Sequence, residues 1–334
     1  MTYIEQHWYY PRWWLTLLLF PLALLFSLLS ALRRVAYRLG WLTSVEIGVP
    51  VVIIGNINVG GVGKTPLTIA LIHALQVRGV KVGVISRGYR GSHPGPLLVT
   101  QEVTPQQVGD EALLISETGV PVVIGRDRVA AARFLYGLYP DLALILSDDG
   151  LQHYRLARAL EIVVFDGKRG IGSGRLLPNG PLREPLSRLV DVDAIVVNGV
   201  GSIEKRLPIA CPVFSMQLRP GRCYRIEAPG VSVEHTYFVG KRVVALAGIG
   251  SPERFFQTVK QMGIQVERTL AFPDHHFFSA SDLPSDADVV LVTTKDAVKL
   301  QAFNHGKLWV LPVYAELTPD LASWIIGQLK IEHG

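Results

Sequence analysis

The stretch "NVGGVGKTP", Asn58 to Pro66, constrains the fold more than any other part of the chain. It follows a short β-branched run, "VPVVIIGN" (Val49 to Asn56), and opens an apolar-periodic run, "KTPLTIALIHALQVR" (Lys64 to Arg78). That order reads as strand, glycine-rich turn, helix. A fully apolar strand of this kind is buried on both faces, which requires a parallel sheet covered by helices on each side. The chain supplies the remaining strands as "KVGVIS", "LALILS" (142 to 147), "EIVVFD" (161 to 166) and "AIVVN" (194 to 198). A second alternating set follows with "RVVALAG", a helix near Pro252 to Met262, "DVVLVTT" and "KLWVLPV". Between the two sets, residues 212–240 carry turn residues among short strand-like pieces and read as a β-rich connector.

The expected fold class is therefore α/β, with two α/β/α domains of mostly parallel sheets joined by a β-ribbon. Residues 45–211 form the phosphate-loop domain and residues 241–334 a smaller C-terminal α/β domain. Residues 1–44 stand apart. "WWLTLLLFPLALLFSLLSAL", Trp13 to Leu32, holds twenty residues without a formal charge, which as a helix spans about 30 Å, the thickness of a bilayer core. Arg12 precedes it and Arg33, Arg34 and Arg38 follow, a bias that places the downstream chain in the cytoplasm. The segment predicts a membrane helix, either spanning the bilayer or lying in its surface. A cleaved signal peptide is disfavoured, because a nucleotide loop has no use outside the cell.

Glycines let successive backbone N–H groups converge on one anion at the start of a helix. Gly60, Gly61 and Gly63 provide that freedom, Lys64 reaches toward the β and γ phosphates, and the Thr65 hydroxyl suits Mg²⁺. The expected ATP contacts run through Asn58, Val59, Gly60, Gly61, Val62, Gly63, Lys64 and Thr65. The common pattern has glycine where Asn58 stands; asparagine tolerates left-handed backbone angles, so the turn survives. Partitioning-type ATPases carry lysine where this chain has Val59, which argues against that class. "LALILSDDG" places Asp148 and Asp149 at the end of a buried strand, where a magnesium carboxylate belongs. A solvated turn before Gly150 is the plainer alternative. The formal charge of +5 suits anionic partners, yet without a long Lys/Arg run no nucleic acid is expected. Two cysteines, Cys211 and Cys223, are too few for a disulfide framework.

The remaining polar clusters match one family by order and wording. They are "GGVGKTP", "SRGYRG" (86 to 91), "VGDEALLI" (108 to 115), "GRDRVAAA" (125 to 132), "DDGLQH" (148 to 153), "LPNGPLREP" (177 to 185), "AGIGSPERF" (247 to 255), "FPDHHFF" (272 to 278) and "TTKDAVK" (293 to 299). With these the chain resembles the tetraacyldisaccharide 4′-kinases, the lipid A 4′-kinases of Gram-negative bacteria. It departs from them at Asn58 and Val62, where a small hydroxyl residue and threonine are frequent, and at Thr294, where glutamate is common.

The resemblance implies phosphoryl transfer from MgATP to the 4′-hydroxyl of a tetraacylated glucosamine disaccharide 1-phosphate. It also implies a bacterial inner-membrane location with the catalytic domains on the cytoplasmic face. By resemblance, Asp110 is the base that accepts the hydroxyl proton and His275 its partner, with Asp274 and His276 as alternatives. As a residue alone, Asp110 before "EALLISE" equally suits a helix cap. Arg183 and Glu184 are implied substrate or transition-state contacts. Arg87, Arg90, Arg126 and Arg128 offer forks for phosphate oxygens, the 1-phosphate among them. Lys295 and Asp296 read either as purine contacts or as solvated turn residues. A function of a different class is a membrane-anchored nucleotide switch or ATPase that recruits a partner and hydrolyses ATP without lipid.

Overall fold

The computed structural model describes residues 3–201, 210–303 and 306–331. Among these, nine strands form the larger sheet, in the spatial order Val313–Thr318, Val213–Pro220, Ala194–Asn198, Leu160–Asp166, Val51–Gly55, Leu144–Asp148, Val82–Ser86, Val122–Ile124, Leu97–Leu98. All neighbours are parallel except the two edge strands, which run antiparallel to the strands beside them. The apolar run after Pro50 sits at the centre, with Val52, Ile53 and Ile54 fully buried. Helix Lys64–Val77 covers one face with Leu67, Leu71, Ile72 and Leu75, and helix Arg128–Leu138 covers the other with Val129, Ala132 and Leu135. This is the doubly covered parallel sheet that the continuous apolar runs require.

The smaller sheet has six strands, in the order Ala228–Val233, Cys223–Arg225, Leu308–Leu311, Val289–Thr293, Val243–Ala247, Arg268–Ala271. Helices Pro252–Gln261 and Thr294–Leu300 pack on its opposite faces through Phe255 and Val259, and through Ala297 and Leu300.

Strand membership divides the chain less simply than contiguous boundaries suggest. The connector splits: Val213–Pro220 joins the larger sheet, while Cys223–Arg225 and Ala228–Val233 join the smaller. The chain then returns, for Val313–Thr318 closes the edge of the larger sheet and helix Leu321–Leu329 packs beside helix Lys64–Val77. An open edge at Val213–Pro220 would leave a row of unpaired backbone groups, and the returning strand satisfies them. Trp324 locks it, edge-on against Phe214 at 5.7 Å. Two crossings therefore tie the small domain to the large one.

At the N-terminus, helix Tyr3–Tyr9 is followed by helix Trp13–Arg38, whose 26 residues have a mean hydropathy of 2.4 over the most apolar window. Leu15 is its one buried residue; Leu17, Leu18, Leu25, Leu29 and Leu32 face outward. The helix touches the large domain at both ends. Arg175 donates to the Thr16 hydroxyl at 2.7 Å near its start, and Arg38 pairs with Asp191 while Tyr37 meets Tyr154 at 5.7 Å near its finish.

Candidate active site

The phosphate loop leaves the central strand at Gly55 and re-enters helix at Lys64. Its positive φ angles fall at Gly60 (111°) and Gly63 (97°), which is where a side chain would be strained. Asn58 needs no left-handed angle: it is not among the positive-φ residues, and it forms an antiparallel bridge with Leu182 instead. Its amide donates to the Gly170 carbonyl at 3.3 Å. The missing glycine is thus explained by strand pairing rather than by asparagine's tolerance of the turn.

Two further asparagines, neither singled out by sequence reasoning, fix the loop. Asn56 is fully buried, donates to the Asn58 carbonyl at 2.5 Å and accepts from Lys64 Nζ at 3.1 Å. Asn198, at the end of the "AIVVN" strand, donates to the Val62 carbonyl at 3.0 Å. A Cβ on Gly63 would lie 2.5 Å from that Asn198 amide, so glycine is demanded there by space as well as by φ. Polar residues ending buried strands beside a phosphate loop were the signal available for both.

Asp148 ends the strand next to the loop, and Asp149 follows it in the left-handed region at φ 49°. Lys64 Nζ lies 3.4 Å from Asp149 Oδ1, and the Arg183 guanidinium lies 3.4 Å from the same atom. Burial raises the Asp149 pKa, but the charges of Lys64 and Arg183 outweigh it and hold the group at about 2. Asp148 goes the other way. Burial, reinforced by the Glu111 charge and opposed by Lys64, pushes it up to about 7. Its Oδ1 is buried without a hydrogen-bond partner. An orphaned, buried carboxylate oxygen within reach of the Lys64 charge fits a hard divalent cation. Among the described residues no cluster of three His, Cys, Asp or Glu side chains could cage a metal. Magnesium characteristically completes its shell with phosphate oxygens and water, so the sparse donor set suits it.

The second half of the site is shared between the two domains. Helix Asp110–Ser116 begins at Asp110, with Gly109 as its cap, so Asp110 is not the cap residue. Its buried carboxylate instead meets His275 Nδ1 at 2.9 Å from both oxygens. His275 reaches it from a left-handed turn, φ 61°, in "FPDHH", with Tyr89 against its ring at 5.1 Å. Lys295 Nζ stands 3.4 Å from His275 Nε2, 3.1 Å from Asp274, 3.2 Å from Glu111 and 3.9 Å from Asp110. Burial raises the Asp110 pKa, but the His275 hydrogen bond and the Lys295 charge bring it below the ordinary carboxylate value. The Lys295 pKa is raised, because three carboxylates outweigh its burial. Tyr89, Arg90, Gly109, Asp110, His275 and Lys299 line the pocket that opens here.

The other candidates sort by what they touch. His276 turns away, stacked on Phe272 at 4.6 Å and bonded to Asp282 at 3.2 Å. Asp296 is fully buried, accepting from Gly248 N–H at 3.0 Å and Thr293 Oγ1 at 2.7 Å, so it is closed to a purine base; Lys295 belongs to the Asp110 cluster. Glu184 is only 3% exposed, and its oxygens accept from Gln152 at 2.9 Å and Tyr154 at 2.5 Å. It is a strut under the loop that carries Arg183, not a surface open to substrate. Arg128 is buried and donates to the carbonyls of Gly125 (2.8 Å) and Asp148 (2.9 Å), holding the strand end that bears the acids. Arg87 and Arg126 are exposed, and Arg90 bridges to the Asp274 carbonyl at 3.2 Å.

The chain is similar to known proteins over nearly its whole length. The family model described as Tetraacyldisaccharide-1-P 4′-kinase matches residues 15–330. A tetraacyldisaccharide 4′-kinase of Chromobacterium violaceum is 60% identical, covering 100% of both chains, and one of Methylobacillus flagellatus is 47% identical over 98% of this chain and 96% of its own. The crystal structure of the "apo" form of LpxK from Aquifex aeolicus in complex with ATP superposes with a TM-score of 0.79 at 28% identity, covering 94% of this chain and 99% of that one. On the match of its family model and of full-length relatives, this chain belongs to the tetraacyldisaccharide-1-phosphate 4′-kinase family.

Proposed function

We propose that this chain transfers the γ-phosphoryl group of ATP to the 4′-hydroxyl of an acylated glucosamine disaccharide 1-phosphate, at the cytoplasmic face of the bacterial inner membrane. The observation that carries this reading is the buried Asp110 carboxylate held 2.9 Å from His275 Nδ1 between the two domains. A sugar hydroxyl is a weak nucleophile at neutral pH and needs a positioned acceptor for its proton. Asp110 is ionised and supplies that acceptor. Facing a carboxylate, His275 Nδ1 carries its hydrogen, and Nε2 accepts from Lys295. The ring thus fixes the direction in which the Asp110 lone pairs point.

The phosphate loop, Asn58 to Thr65, suits the ATP phosphates, with Lys64 on the β and γ groups. Thr65 with Asp148 and Asp149 would hold magnesium, which when bound neutralises charge on the transferring group. Lys64 and Arg183, on either side of Asp149, add fixed positive charge where that group passes. Arg87, Arg90 and Arg126 are exposed near the pocket-lining turn and the strand ends, and they offer forks to the 1-phosphate. The exposed apolar face of Trp13–Arg38 suits burial in a bilayer, where the lipid acceptor resides.

The test is transfer of labelled γ-phosphate. Label should appear in the disaccharide only when the acylated acceptor is present, and Asp110→Asn should abolish it. Steady ATP hydrolysis that ignores the acceptor and survives Asp110→Asn would instead identify a nucleotide switch.

A further inference from the structure

Helix Tyr3–Tyr9 does more than precede an apolar helix, because its side chains enter the catalytic domain. His7 is fully buried, and its Nε2 lies 3.1 Å from Oδ1 of Asn179, a residue that is only 3% exposed. The Arg12 backbone N–H donates to His7 Nδ1 at 3.0 Å, so Nδ1 is the acceptor and Nε2 the donor to Asn179. The Asn179 amide in turn donates to the Thr16 carbonyl at 3.2 Å, and Trp8 Nε1 donates to the Pro178 carbonyl at 2.9 Å. Gly172 faces the Trp8 carbonyl so closely that a Cβ there would lie 2.9 Å from it, and the adjacent Ser173 N–H donates to that carbonyl at 2.7 Å.

The loop grasped in this way is the one that borders the phosphate loop. Val59 N–H donates to the Pro181 carbonyl at 2.8 Å, Asn58 pairs with Leu182, and Arg183 N–H donates to the Ile57 carbonyl at 2.6 Å. Arg183 then points its guanidinium at Asp149. Only three residues separate Asn179 from Arg183 along the chain. Hydrogen bonds on Asn179, a short stretch of backbone, and hydrogen bonds at Pro181 and Arg183 thus link the N-terminal helix to the phosphate loop and to the arginine beside it.

We propose that the His7–Asn179 hydrogen bond is a positioning contact for phosphoryl transfer, holding the 175–184 loop in the register that sets Arg183 and the phosphate loop. The N-terminal segment is on this account part of the catalytic frame, beyond any part in holding the protein on a lipid surface. The inference rests on the kinase reading, since Arg183 and the phosphate loop are what it positions. Small displacements of such groups are costly: an error of about 1 Å can lower turnover by about a hundredfold.

The test uses the full-length chain in membranes, with His7→Phe, which keeps an aromatic ring but removes the hydrogen bond, His7→Gln, which restores a donor, and Asn179→Ala. His7→Phe and Asn179→Ala should each lower kcat about tenfold while membrane retention stays at the parent level. His7→Gln should recover about half of the lost turnover. Combined with Arg183→Ala, His7→Phe should cost less than it does alone, because part of its effect passes through Arg183. Amide exchange at Val59 and Arg183 should accelerate in His7→Phe, which reads the clasp without any lipid acceptor. Parent kcat in both variants, losses additive with Arg183→Ala, retention falling in step with turnover, or unchanged exchange at those amides would each overturn the proposal. A parent chain that labels no lipid would overturn the functional reading, while the exchange measurement would still decide the clasp.

Discussion

The phosphate loop and the Asp110–His275 pair are two halves of one site, built in opposite ways. The loop is local: eight consecutive residues between a strand and a helix, shaped by two positive-φ glycines and fixed by Asn56 and Asn198. The pair is remote, joining residues 165 positions apart, one on a helix of the larger domain and one in a turn of the smaller. The loop is held entirely within one domain, by Asn198 and the 181–183 segment. A composite site exists only while two domains stay docked, here through the Asp110–His275 contact, the Asp166–Arg254 pair at 2.6 Å and the Arg169–Ser251 hydrogen bond. Parting of the domains should therefore disable the pair while leaving the loop formed.

The largest effect should come from the local half. Lys64→Ala removes the charge between Asn56 and Asp149 and should lower kcat on the order of a thousandfold with little change in the thermal midpoint. Near-parent turnover would erase the nucleotide half of the comparison. Asp148→Asn and Asp149→Asn keep shape but remove a hard anionic ligand, and each should cost about a hundredfold while raising the magnesium concentration needed for half-maximal rate. A magnesium titration unchanged in both would return the acids to a turn.

The remote half should show itself in pH dependence. Burial raises the Asp110 pKa, while the His275 hydrogen bond and Lys295 lower it to a net value below that of an ordinary carboxylate. Lys295→Met deletes one lowering contribution, so the pKa rises and the protonated, inactive form appears at a higher pH. The acid limb of the kcat/KM profile should move upward in pH, with a much smaller change on the neutral plateau. An acid limb that stays put would detach Lys295 from the pair. The smallest effect is expected at Asn58→Gly. This restores the usual loop pattern, yet Asn58 has no positive φ to relieve, so activity should not improve and stability should fall by about 0.5–1 kcal/mol, read by denaturant unfolding.

The same contrast explains how much was legible in the sequence. The central strands were, because each is an unbroken β-branched run buried on both faces. The phosphate loop was, because glycine spacing and the following helix carry its chemistry in one stretch. The return of Val313–Thr318 to the larger sheet was not, because its alternating, half-exposed pattern names no partner strand. Residue-level reading left Asp110 open between cap and base, and only the family resemblance paired it with His275. Lys295 in "TTKDAVK" suits a base contact or a turn equally, since nothing in that stretch says that its neighbours are Glu111 and Asp274. Arg128 and Glu184 show the converse limit: arginine and glutamate in polar motifs look like ligand contacts, but both are buried struts.

The most direct test of the composite site is a double-mutant cycle on kcat with Asp110→Asn and His275→Ala, using saturating ATP and acylated acceptor. If the two residues form one proton-accepting unit, Asp110→Asn should cost on the order of a thousandfold. His275→Ala should then add little to it, with ATP affinity nearly unchanged in all three variants. Losses that multiply independently, or an Asp110→Asn enzyme that retains most of its turnover, would contradict the assignment of this cross-domain pair as the site of proton transfer.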